Sequence, residues 1–396
     1  MERDQLIDLT RRAVKLACDK TTDLAPAKHT VRAAEYTSIE CHERDTAMLM
    51  ASPQLVGYVS ELPEPGTYCT KSVMGRSILL TRTSTGSVKA FNNVCLHRQS
   101  QVVTGCGKAK RFSCPYHAWT YDDTGRLVGL PGREGFPGVQ VKSDGLTELP
   151  ASEFAGFLWV ALDPAAGLDV SAHLGPLAEE LDSWGIGRWS PLGEKVLDSP
   201  INWKLAVDTF SENYHFATVH RDTFATIARS NCTVFDSFGP HHRLIFPLNS
   251  ILALENVPED QWDPFQNMVV IYALFPNIVL SVTIANGELF RIYPGDKPGR
   301  SNYRPPEFDA AGHLRRIRGS RRPGRFRLCP CHRARRGLPA RRGPTSQPRV
   351  RRPRSPVVRP QRTWAAASAH VLGIVEPSCR GDVVNCRRIA PRSAHR

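Results

Sequence analysis

The chain has 396 residues and a formal net charge of +14, which at first suggests a nucleic-acid-binding protein. The distribution of charge argues against that class for most of the chain. Residues 1–299 carry 27 Lys and Arg against 34 Asp and Glu, whereas residues 300–396 carry 25 Arg, no Lys and four acidic residues. The first three quarters are therefore mildly acidic, and the basic excess belongs to the last quarter.

Eleven cysteines are scattered along the chain without the spacing of a small disulfide-bonded domain. That usage is typical of a reducing compartment in which some cysteines bind metal. The first 20 residues lack the apolar segment of an export signal, and no run of about 18 apolar residues follows. We therefore expect a cytoplasmic protein without a membrane span.

The first two segments in chain order differ in secondary structure. Residues 1–55 are predicted to be helical, with Thr37-x-x-Glu40 as a capping box that opens a helix through Met50. From Val56 onward, short β-type runs flank turns at residues 84–87 and 122–125, which is typical of hairpins. A further strand is predicted at 157–162. Residues 56–165 are therefore predicted to form a small antiparallel β domain.

Residues 166–299 are predicted to form a second domain that mixes helices and strands. Apolar spacing indicates helices at 173–184 and 202–222, and β-type runs indicate strands at 268–275, 278–284 and 288–293. The predicted fold class of the whole chain is thus α+β.

Residues 300–396 form an Arg- and Pro-rich segment with no period of 2 or 3.6. One interpretation is a nucleic-acid-binding tail. The other is a slip of reading frame in a GC-rich coding sequence, which the absence of Lys beside 25 Arg favours. Under either interpretation the segment is too poor in apolar residues to fold, so we expect a disordered tail.

Two Cys–His pairs lie in the β domain, Cys95-x-His97 and Cys114-x-x-His117. Zinc is the usual ion for two cysteines and two histidines. A zinc finger, however, keeps its cysteines together and its histidines together, whereas each pair here is mixed. A [2Fe–2S] cluster held by two cysteines on one iron and two histidines on the other fits this spacing better. Cys106, between the pairs, is expected to be a plain thiol.

Residues 95–117 resemble the Rieske signature, C-x-H-R followed by C-P-Y-H-x-W, and Arg98, Pro115, Tyr116 and Trp119 match it as well. The resemblance implies that Cys95, His97, Cys114 and His117 bind a [2Fe–2S] cluster of the oxygenase or ferredoxin type.

A second group of candidate ligands lies in 201-INWKLAVDTFSENYHFATVHRD-222. His215 and His220 are five residues apart, which is about 140° around an ideal helix, so both could face one ion only if the helix is bulged or broken between them. Asp208, Glu212 and His215 are spaced to share one helical face. Two histidines with one carboxylate form the facial triad of non-haem Fe(II) oxygenases.

This stretch resembles the mononuclear-iron helix of Rieske non-haem iron ring-hydroxylating oxygenases, in the alpha (large, catalytic) subunit. The resemblance implies a helix-grip-like catalytic domain, incomplete here, with His215 and His220 as iron ligands. Glu212 matches the carboxylate that links one subunit's Rieske histidine to the neighbouring subunit's iron, and Asp208 is a weaker catalytic candidate. The same resemblance implies a flavin reductase or ferredoxin as electron donor, so that NAD(P)H acts only indirectly. It further implies a homotrimer, which in some members includes a beta subunit.

The third iron ligand of this family is a carboxylate from a later helix, and no residue after 300 supplies it convincingly. The remaining acids are Glu307, Asp309, Glu376 and Asp382. We therefore expect an oxygenase of aromatic or amine-type substrates whose hydroxylation is impaired by weak iron binding. The alternatives are an electron-transfer protein with a vestigial catalytic domain and, third, a nucleic-acid-binding protein. The predicted pocket lining is apolar: Phe210, Phe216, Phe246, Leu248 and Ile284.

Overall fold

The structure is a computed structural model, and it describes residues 1–194, 197–283, 287–304 and 306–309. The α-helices are α1 Arg3–Cys18, α2 Ala34–Thr37, α3 Ile39–Ala51, α4 Val170–Leu174, α5 Ala178–Ser183, α6 Trp203–Phe210 and α7 Phe216–Val219. The described part of the chain contains no helix with the length and apolar character needed to cross a membrane.

The strands of the first half are β1 Gln54–Tyr58, β2 Thr67–Val73, β3 Arg76–Arg82, β4 Val88–Asn92, β5 Cys106–Lys108, β6 Arg111–Ser113, β7 Thr120–Asp122, β8 Leu127–Gly129, β9 Glu148–Leu149, β10 Ala151–Phe154 and β11 Phe157–Val160. Those of the second half are β12 Ser190–Glu194, β13 Leu197–Ser199, β14 Val234–Phe238, β15 His241–Pro247, β16 Met268–Leu274, β17 Ile278–Val282, β18 Gly287–Pro294, β19 Ser301–Arg304 and β20 Pro306–Asp309.

The predicted antiparallel β domain is present. It contains a five-stranded sheet in the order β5-β2-β3-β4-β9 and two three-stranded sheets, β1-β11-β10 and β6-β7-β8. Both predicted hairpins form, because β3 pairs with β4 and β7 pairs with β8 in antiparallel register. The α+β fold class is confirmed.

The second domain is built on a large antiparallel sheet whose main path is β14-β15-β16-β17-β18-β20-β12. Successive residues of a strand point to opposite faces, so each strand contributes to two cores. Val270 and Tyr272 of β16 pack on one face with α1 and α5, whereas Ile271 and Ala273 pack on the other with α6.

Three predicted boundaries differ in the structure. The N-cap of α3 is Ser38, whose Oγ accepts a hydrogen bond from the amide of Cys41 at 3.0 Å, so the predicted cap at Thr37 was one residue early. The predicted helix 173–184 is two short helices, α4 and α5, separated by a 3-10 turn at Gly175–Leu177. The large sheet continues to Asp309, past the predicted boundary at Gly299. The rest of the predicted disordered tail lies outside the described residues.

An ionic network fastens α1 and α5 to the large sheet. Arg243 of β15 contacts Glu180 of α5 and donates a hydrogen bond from Nη2 to Asp236 at 2.9 Å. Arg12 of α1 contacts the same Asp236 at 2.7 Å, and the Tyr272 hydroxyl donates to Glu180 at 2.5 Å. The side chains of Arg243 and Glu180 are only 11% and 7% exposed, so each charge depends on the other.

We expect Arg243→Met to lower the free energy of unfolding by about 3 kcal/mol, because it leaves the buried Glu180 carboxylate without its cationic partner. Arg11→Met is the matched control, since the Arg11–Glu259 pair is about half exposed and solvent screening should leave it a much smaller contribution. Urea unfolding monitored by tryptophan fluorescence measures both. Equal losses in the two variants would contradict this account of the network.

Burial also makes the fold sensitive to acid through His242, which is 1% exposed. Burial, with a smaller contribution from the neighbouring His241, lowers the pKa of His242 to about 4. The unfolded imidazole titrates near pH 6.5, so the unfolded state binds a proton first. Stability should therefore be constant above that pH and fall between about pH 6.5 and pH 4. The difference between the urea unfolding midpoints at pH 8 and pH 5 should therefore be smaller in His242→Leu than in the parent chain.

Candidate metal centres

Two loops of similar construction carry the first group of ligands. Cys95 follows β4, and its carbonyl accepts a hydrogen bond from the amide of Gln99 at 3.0 Å. Cys114 follows β6, and its carbonyl accepts from the amide of Ala118 at 2.9 Å. Gln99 and Ala118 both adopt a positive φ, +56° and +59°, which turns each loop sharply back. Each loop thereby presents one thiol and one imidazole on a closed turn.

The two sulfurs lie together in the interior of the β domain. Cys95 and Cys114 are 1% and 4% exposed, and the Tyr121 hydroxyl lies 3.2 Å from the Cys95 sulfur. Burial raises the pKa of Cys114, but hydrogen bonds from the amides of Tyr116 and His117, together with Cys95, lower it below its ordinary value. These amides stabilise a thiolate, which is the form that binds iron.

The two imidazoles lie side by side at the surface end of the loops. The ring centroids of His97 and His117 are 4.6 Å apart. His97 stacks on Trp119 at 5.1 Å with an interplanar angle of 7°, and Phe136 packs edge-on against both of those rings. The aromatic packing fixes the plane of the His97 ring.

The residues present fit a two-iron cluster better than one ion. In the described ranges no three His, Cys, Asp or Glu side chains converge closely enough to hold a single metal ion. The arrangement is instead a pair of sulfurs and a pair of imidazoles. Nδ1 of His97 is buried without a hydrogen-bond partner, which is the state expected of a ligand nitrogen that faces a metal group. The donor set agrees with Rieske ligation and disagrees with a zinc finger.

The second group of ligands follows an abrupt end of α6. Asn213, 1% exposed, donates from Nδ2 to the carbonyls of Arg229 and Cys232 at 3.1 and 2.8 Å. Its Oδ1 accepts from the amide of Cys232 and the hydroxyl of Thr233. The four hydrogen bonds hold the 211–215 turn against the 229–233 loop.

The predicted helix over 202–222 was therefore wrong. The interruption comes before His215, between α6 and α7, and not between the two histidines. His215 and His220 instead flank the single turn of α7, and His220 leaves helical geometry with φ −111° and ψ 28°. The ring centroids of His215 and His220 are 5.1 Å apart, so the structure does bring the two predicted iron ligands together.

Glu212 controls the orientation of His215. Its Oε1 contacts Nδ1 of His215, and its Oε2 accepts from the amides of Tyr214 and His215 at 2.6 and 3.2 Å. A carboxylate at Nδ1 fixes the proton on that nitrogen and leaves the Nε2 lone pair free. Nε2 is therefore the nitrogen of His215 that remains available to a metal ion.

Asp208 lies elsewhere, so the predicted carboxylate stripe does not form. Because α6 ends at Phe210, Asp208 is not on a common helical face with Glu212 and His215. Asp208 accepts a hydrogen bond from the Tyr36 hydroxyl at 3.2 Å and is 6% exposed. Burial raises its pKa to about 7, against the Tyr36 hydrogen bond and the charge of Lys204. Its contacts connect α6 to α2.

An aromatic wall surrounds the histidine pair. Phe216 packs on Phe224 at 5.3 Å and on Phe246 at 5.8 Å, and His220 packs on Phe224 at 5.0 Å. Four of the predicted pocket residues belong to this core: Phe210, Phe216, Phe246 and Leu248. The fifth, Ile284, lies outside the described residues.

His242 is a polar residue on the same face of β15 as Leu244 and Phe246, since side chains two apart in a strand point the same way. Its ring packs against Phe235 at 5.2 Å. Neither ring nitrogen has a hydrogen-bond partner in the described part of the chain. A buried imidazole with two unpaired nitrogens, on the strand face that also carries Phe246, is a candidate for recognition of a polar ligand group.

Sequence reasoning missed the roles of Asn213 and His242. Asn213 interrupts a helical pattern without a Gly or Pro, so local sequence carried no signal for its long-range partners. A sequence signal for His242 did exist, because the alternation of His242, Leu244 and Phe246 along a strand places an imidazole among apolar residues. No third ligand was assigned from the sequence. Of the acids after residue 300, Glu307 and Asp309 lie on β20, whose side chains the structure does not describe, and Glu376 and Asp382 lie outside the described residues.

Two family models match the chain. The Rieske [2Fe-2S] domain matches residues 52–143, and the ring hydroxylating alpha subunit (catalytic domain) matches residues 186–304. The first match contains Cys95, His97, Cys114 and His117, and the second contains His215 and His220. The two matches agree with the two groups of ligands that the geometry assembles.

Curated relatives are oxygenase subunits. The carnitine monooxygenase oxygenase subunit of Acinetobacter baumannii is 33% identical over 189 residues, 47% of this chain and 51% of the relative. The N,N-dimethyl phenylurea N-demethylase subunit alpha of Sphingobium sp. is 32% identical over 176 residues, 42% of this chain and 38% of the relative. The chain spans about half the length, or less, of these curated relatives.

Solved structures share the fold. A quaternary ammonium Rieske monooxygenase in complex with L-carnitine superposes with a TM-score of 0.61 at 23% identity, covering 72% of this chain and 76% of the other. Naphthalene 1,2-dioxygenase from Rhodococcus sp. superposes with a TM-score of 0.58 at 21% identity, covering 77% of each chain. On the two domain matches and the oxygenase-subunit relatives, the chain belongs to the family of Rieske non-haem iron ring-hydroxylating oxygenase alpha subunits.

Proposed function

We propose that this chain is the large subunit of an oxygenase that hydroxylates an N-methylated amine or quaternary ammonium compound. The observation that carries the proposal is the pairing of ligands: two buried sulfurs beside two adjacent imidazoles in one domain, and the His215–His220 pair in the other. When bound, the [2Fe–2S] cluster would supply one-electron transfer and a mononuclear Fe(II) would supply dioxygen activation.

The residues around the cluster would set its reduction potential and the orientation of its ligands. Cys95 and Cys114 would hold one iron as thiolates, and His97 and His117 would hold the other. The amides of Tyr116 and His117 point at the Cys114 sulfur and stabilise its negative charge. Trp119 shields one face of the His97 ring, while His117 is exposed, so His117 is the ligand available to an electron donor.

At the second centre the chain would orient ligands and exclude water. Glu212 holds the Nδ1 proton of His215, which directs Nε2 to the metal. Phe216, Phe224 and Phe246 form the apolar surface beside the histidines. We further propose that Glu212 links this centre to the Rieske histidine of a neighbouring subunit, which requires a homotrimer or another closed ring. Asp208 is retained as a weaker catalytic candidate.

The substrate class follows from two lines of support. Relatives that match at 28–33% identity are named for carnitine, glycine betaine and a dimethyl phenylurea, all N-methylated compounds. An aromatic wall can also hold a quaternary ammonium group by cation–π attraction. We propose in addition a reductase or ferredoxin as electron donor and a cytoplasmic location.

We also propose that the mononuclear iron is weakly held in this chain. Only two protein ligands, His215 and His220, come together among the described residues, and the facial triad requires a carboxylate as well. In the alternative function the chain only takes up electrons. This alternative is supported by the lack, among the described residues, of a carboxylate that joins His215 and His220 as the third iron ligand. The two differ in whether iron at the second site supports turnover.

The test is substrate-dependent oxygen consumption by the cluster-loaded chain, supplied with a chemical reductant and titrated with Fe(II). We expect consumption with glycine betaine or carnitine that rises with added Fe(II) and is small without it. His215→Ala should abolish it, and Thr218→Ala, an exposed change in the same turn, should not. Consumption that is absent at every Fe(II) concentration, or equal in His215→Ala, would overturn the oxygenase proposal.

Glu212→Gln tests the orienting role of the carboxylate. Because the amide cannot hold the Nδ1 proton as a carboxylate does, we expect Fe(II) affinity to fall about 10- to 100-fold while the Rieske absorption spectrum is unchanged. Glu179→Gln, an exposed carboxylate in α5, is the matched control. A Glu212→Gln chain with unchanged Fe(II) affinity would show that His215 is oriented by other contacts.

His242→Leu tests recognition of the polar end of the substrate. The neutral imidazole can donate a hydrogen bond to a carboxylate, so the variant should bind glycine betaine about tenfold more weakly. Binding of tetramethylammonium, which has no carboxylate, should be unchanged. Isothermal titration calorimetry measures both ligands, and an equal loss for the two would indicate general damage to the pocket.

A further inference from the structure

Two cysteines outside both metal centres face each other across neighbouring strands. Cys69 of β2 is directly opposite Cys106 of β5 in antiparallel register. The flanking ladder bonds run from the amide of Thr70 to the carbonyl of Gly105 and from the amide of Ala109 to the carbonyl of Gly66. Hydrogen-bonded pairs alternate along an antiparallel ladder, so Cys69 and Cys106 occupy a non-hydrogen-bonded position.

That position has the dimensions of a disulfide. Opposite residues at non-hydrogen-bonded positions have Cα atoms about 4.5 Å apart, which lies within the range that a disulfide spans. Directly opposite side chains also point to the same face of the sheet. Cys106 also contributes to the raised pKa of Cys69, which agrees with two thiols that lie near each other.

The two thiols differ in their access to solvent. Cys69 is 0% exposed and packs in the core between the sheets, whereas Cys106 is exposed on an edge strand. Burial raises the pKa of Cys69 to about 12. Cys106 is therefore the thiol that a reagent in solution meets first, and Cys69 is the thiol placed to resolve the product.

The pair is separate from the cluster ligands. Cys95 and Cys114 belong to a different core, with Phe112, Trp119 and Tyr121, than the one that contains Cys69. Along the chain, however, β5 connects the two ligand loops, since Cys106 lies between Cys95 and Cys114. A bond from β5 to β2 would tie this connecting edge strand to the sheet without consuming a cluster ligand.

We propose that Cys69 and Cys106 are a redox modification site that is oxidised to a cross-strand disulfide by small-molecule disulfides of the glutathione type. The Cys106 thiolate attacks one sulfur of the small disulfide, so that bond breaks, a mixed disulfide forms on Cys106 and one small thiol leaves. Cys69 then loses its proton and attacks the Cys106 sulfur, which releases the second small thiol. Two protein thiols are oxidised and one small disulfide is reduced to two thiols.

The test uses the full-length, cluster-loaded chain incubated with glutathione disulfide, alkylated and digested with trypsin. Cleavage isolates Cys69 in the peptide 45–71 and Cys106 in the peptide 99–108, each with a single cysteine. We expect mass spectrometry to show these two peptides cross-linked, reversibly with dithiothreitol, while the Rieske absorption spectrum is retained.

Two variants separate the steps. Cys106→Ser should give no cross-link, and Cys69→Ser should trap glutathione on Cys106 because the resolving thiol is missing. Cys232→Ser, which removes a buried thiol of the second domain, is the matched control and should cross-link as the parent does. Stable glutathione on Cys106 of the parent chain, cross-links from Cys106 to another cysteine, or loss of the cluster spectrum in step with cross-linking would each overturn the proposal. None of these outcomes depends on oxygenase activity.

Discussion

The contact between Glu212 and Nδ1 of His215 is the interaction on which the second centre depends. An imidazole can bind metal through either nitrogen, and a carboxylate on one of them decides which is free. Glu212 lies three residues before His215, in the turn between α6 and α7, and Oε2 of Glu212 also accepts from the amides of Tyr214 and His215. Asn213 holds this turn by binding the 229–233 loop on both its amide nitrogen and its oxygen. The end of α6 and the Asn213 hydrogen bonds thus set the conformation of the segment that carries Glu212 and His215.

In the first centre, tight turns in two loops position the candidate ligand side chains. Two loops, each closed by a residue at positive φ, hold Cys95 and Cys114 in the interior and His97 and His117 toward the surface. Buried sulfurs require compensation for their charge, and backbone amides of the second loop supply it. The exposed imidazole then faces the side from which electrons would arrive. In each proposed centre, a candidate ligand is oriented by a neighbouring side chain. Glu212 orients His215, and Trp119 with Phe136 fixes the plane of the His97 ring.

Local chemistry made much of this predictable from sequence. The spacing of Cys95, His97, Cys114 and His117 predicted that these four side chains come together, and the turn residues at 84–87 and 122–125 predicted the hairpins, because both signals lie within short stretches of sequence. The end of α6 could not be predicted in that way, since the groups that hold Asn213 are 16 to 20 residues farther along the chain. The burial of Asp208 against Tyr36 depends equally on a distant segment. The capping position of α3 differed by one residue, since Thr37 and Ser38 are both good N-caps.

In the function proposed above, the chain would hold a complete [2Fe–2S] cluster and an incomplete second iron site. Iron and acid-labile sulfide per chain, measured on the anaerobically purified protein together with its electron paramagnetic resonance spectrum, test that claim most directly. The account predicts about two irons and two sulfides per chain with a Rieske-type signal in the reduced state, as a [2Fe–2S] cluster requires. About three irons per chain together with substrate turnover, or zinc in place of iron, would contradict it.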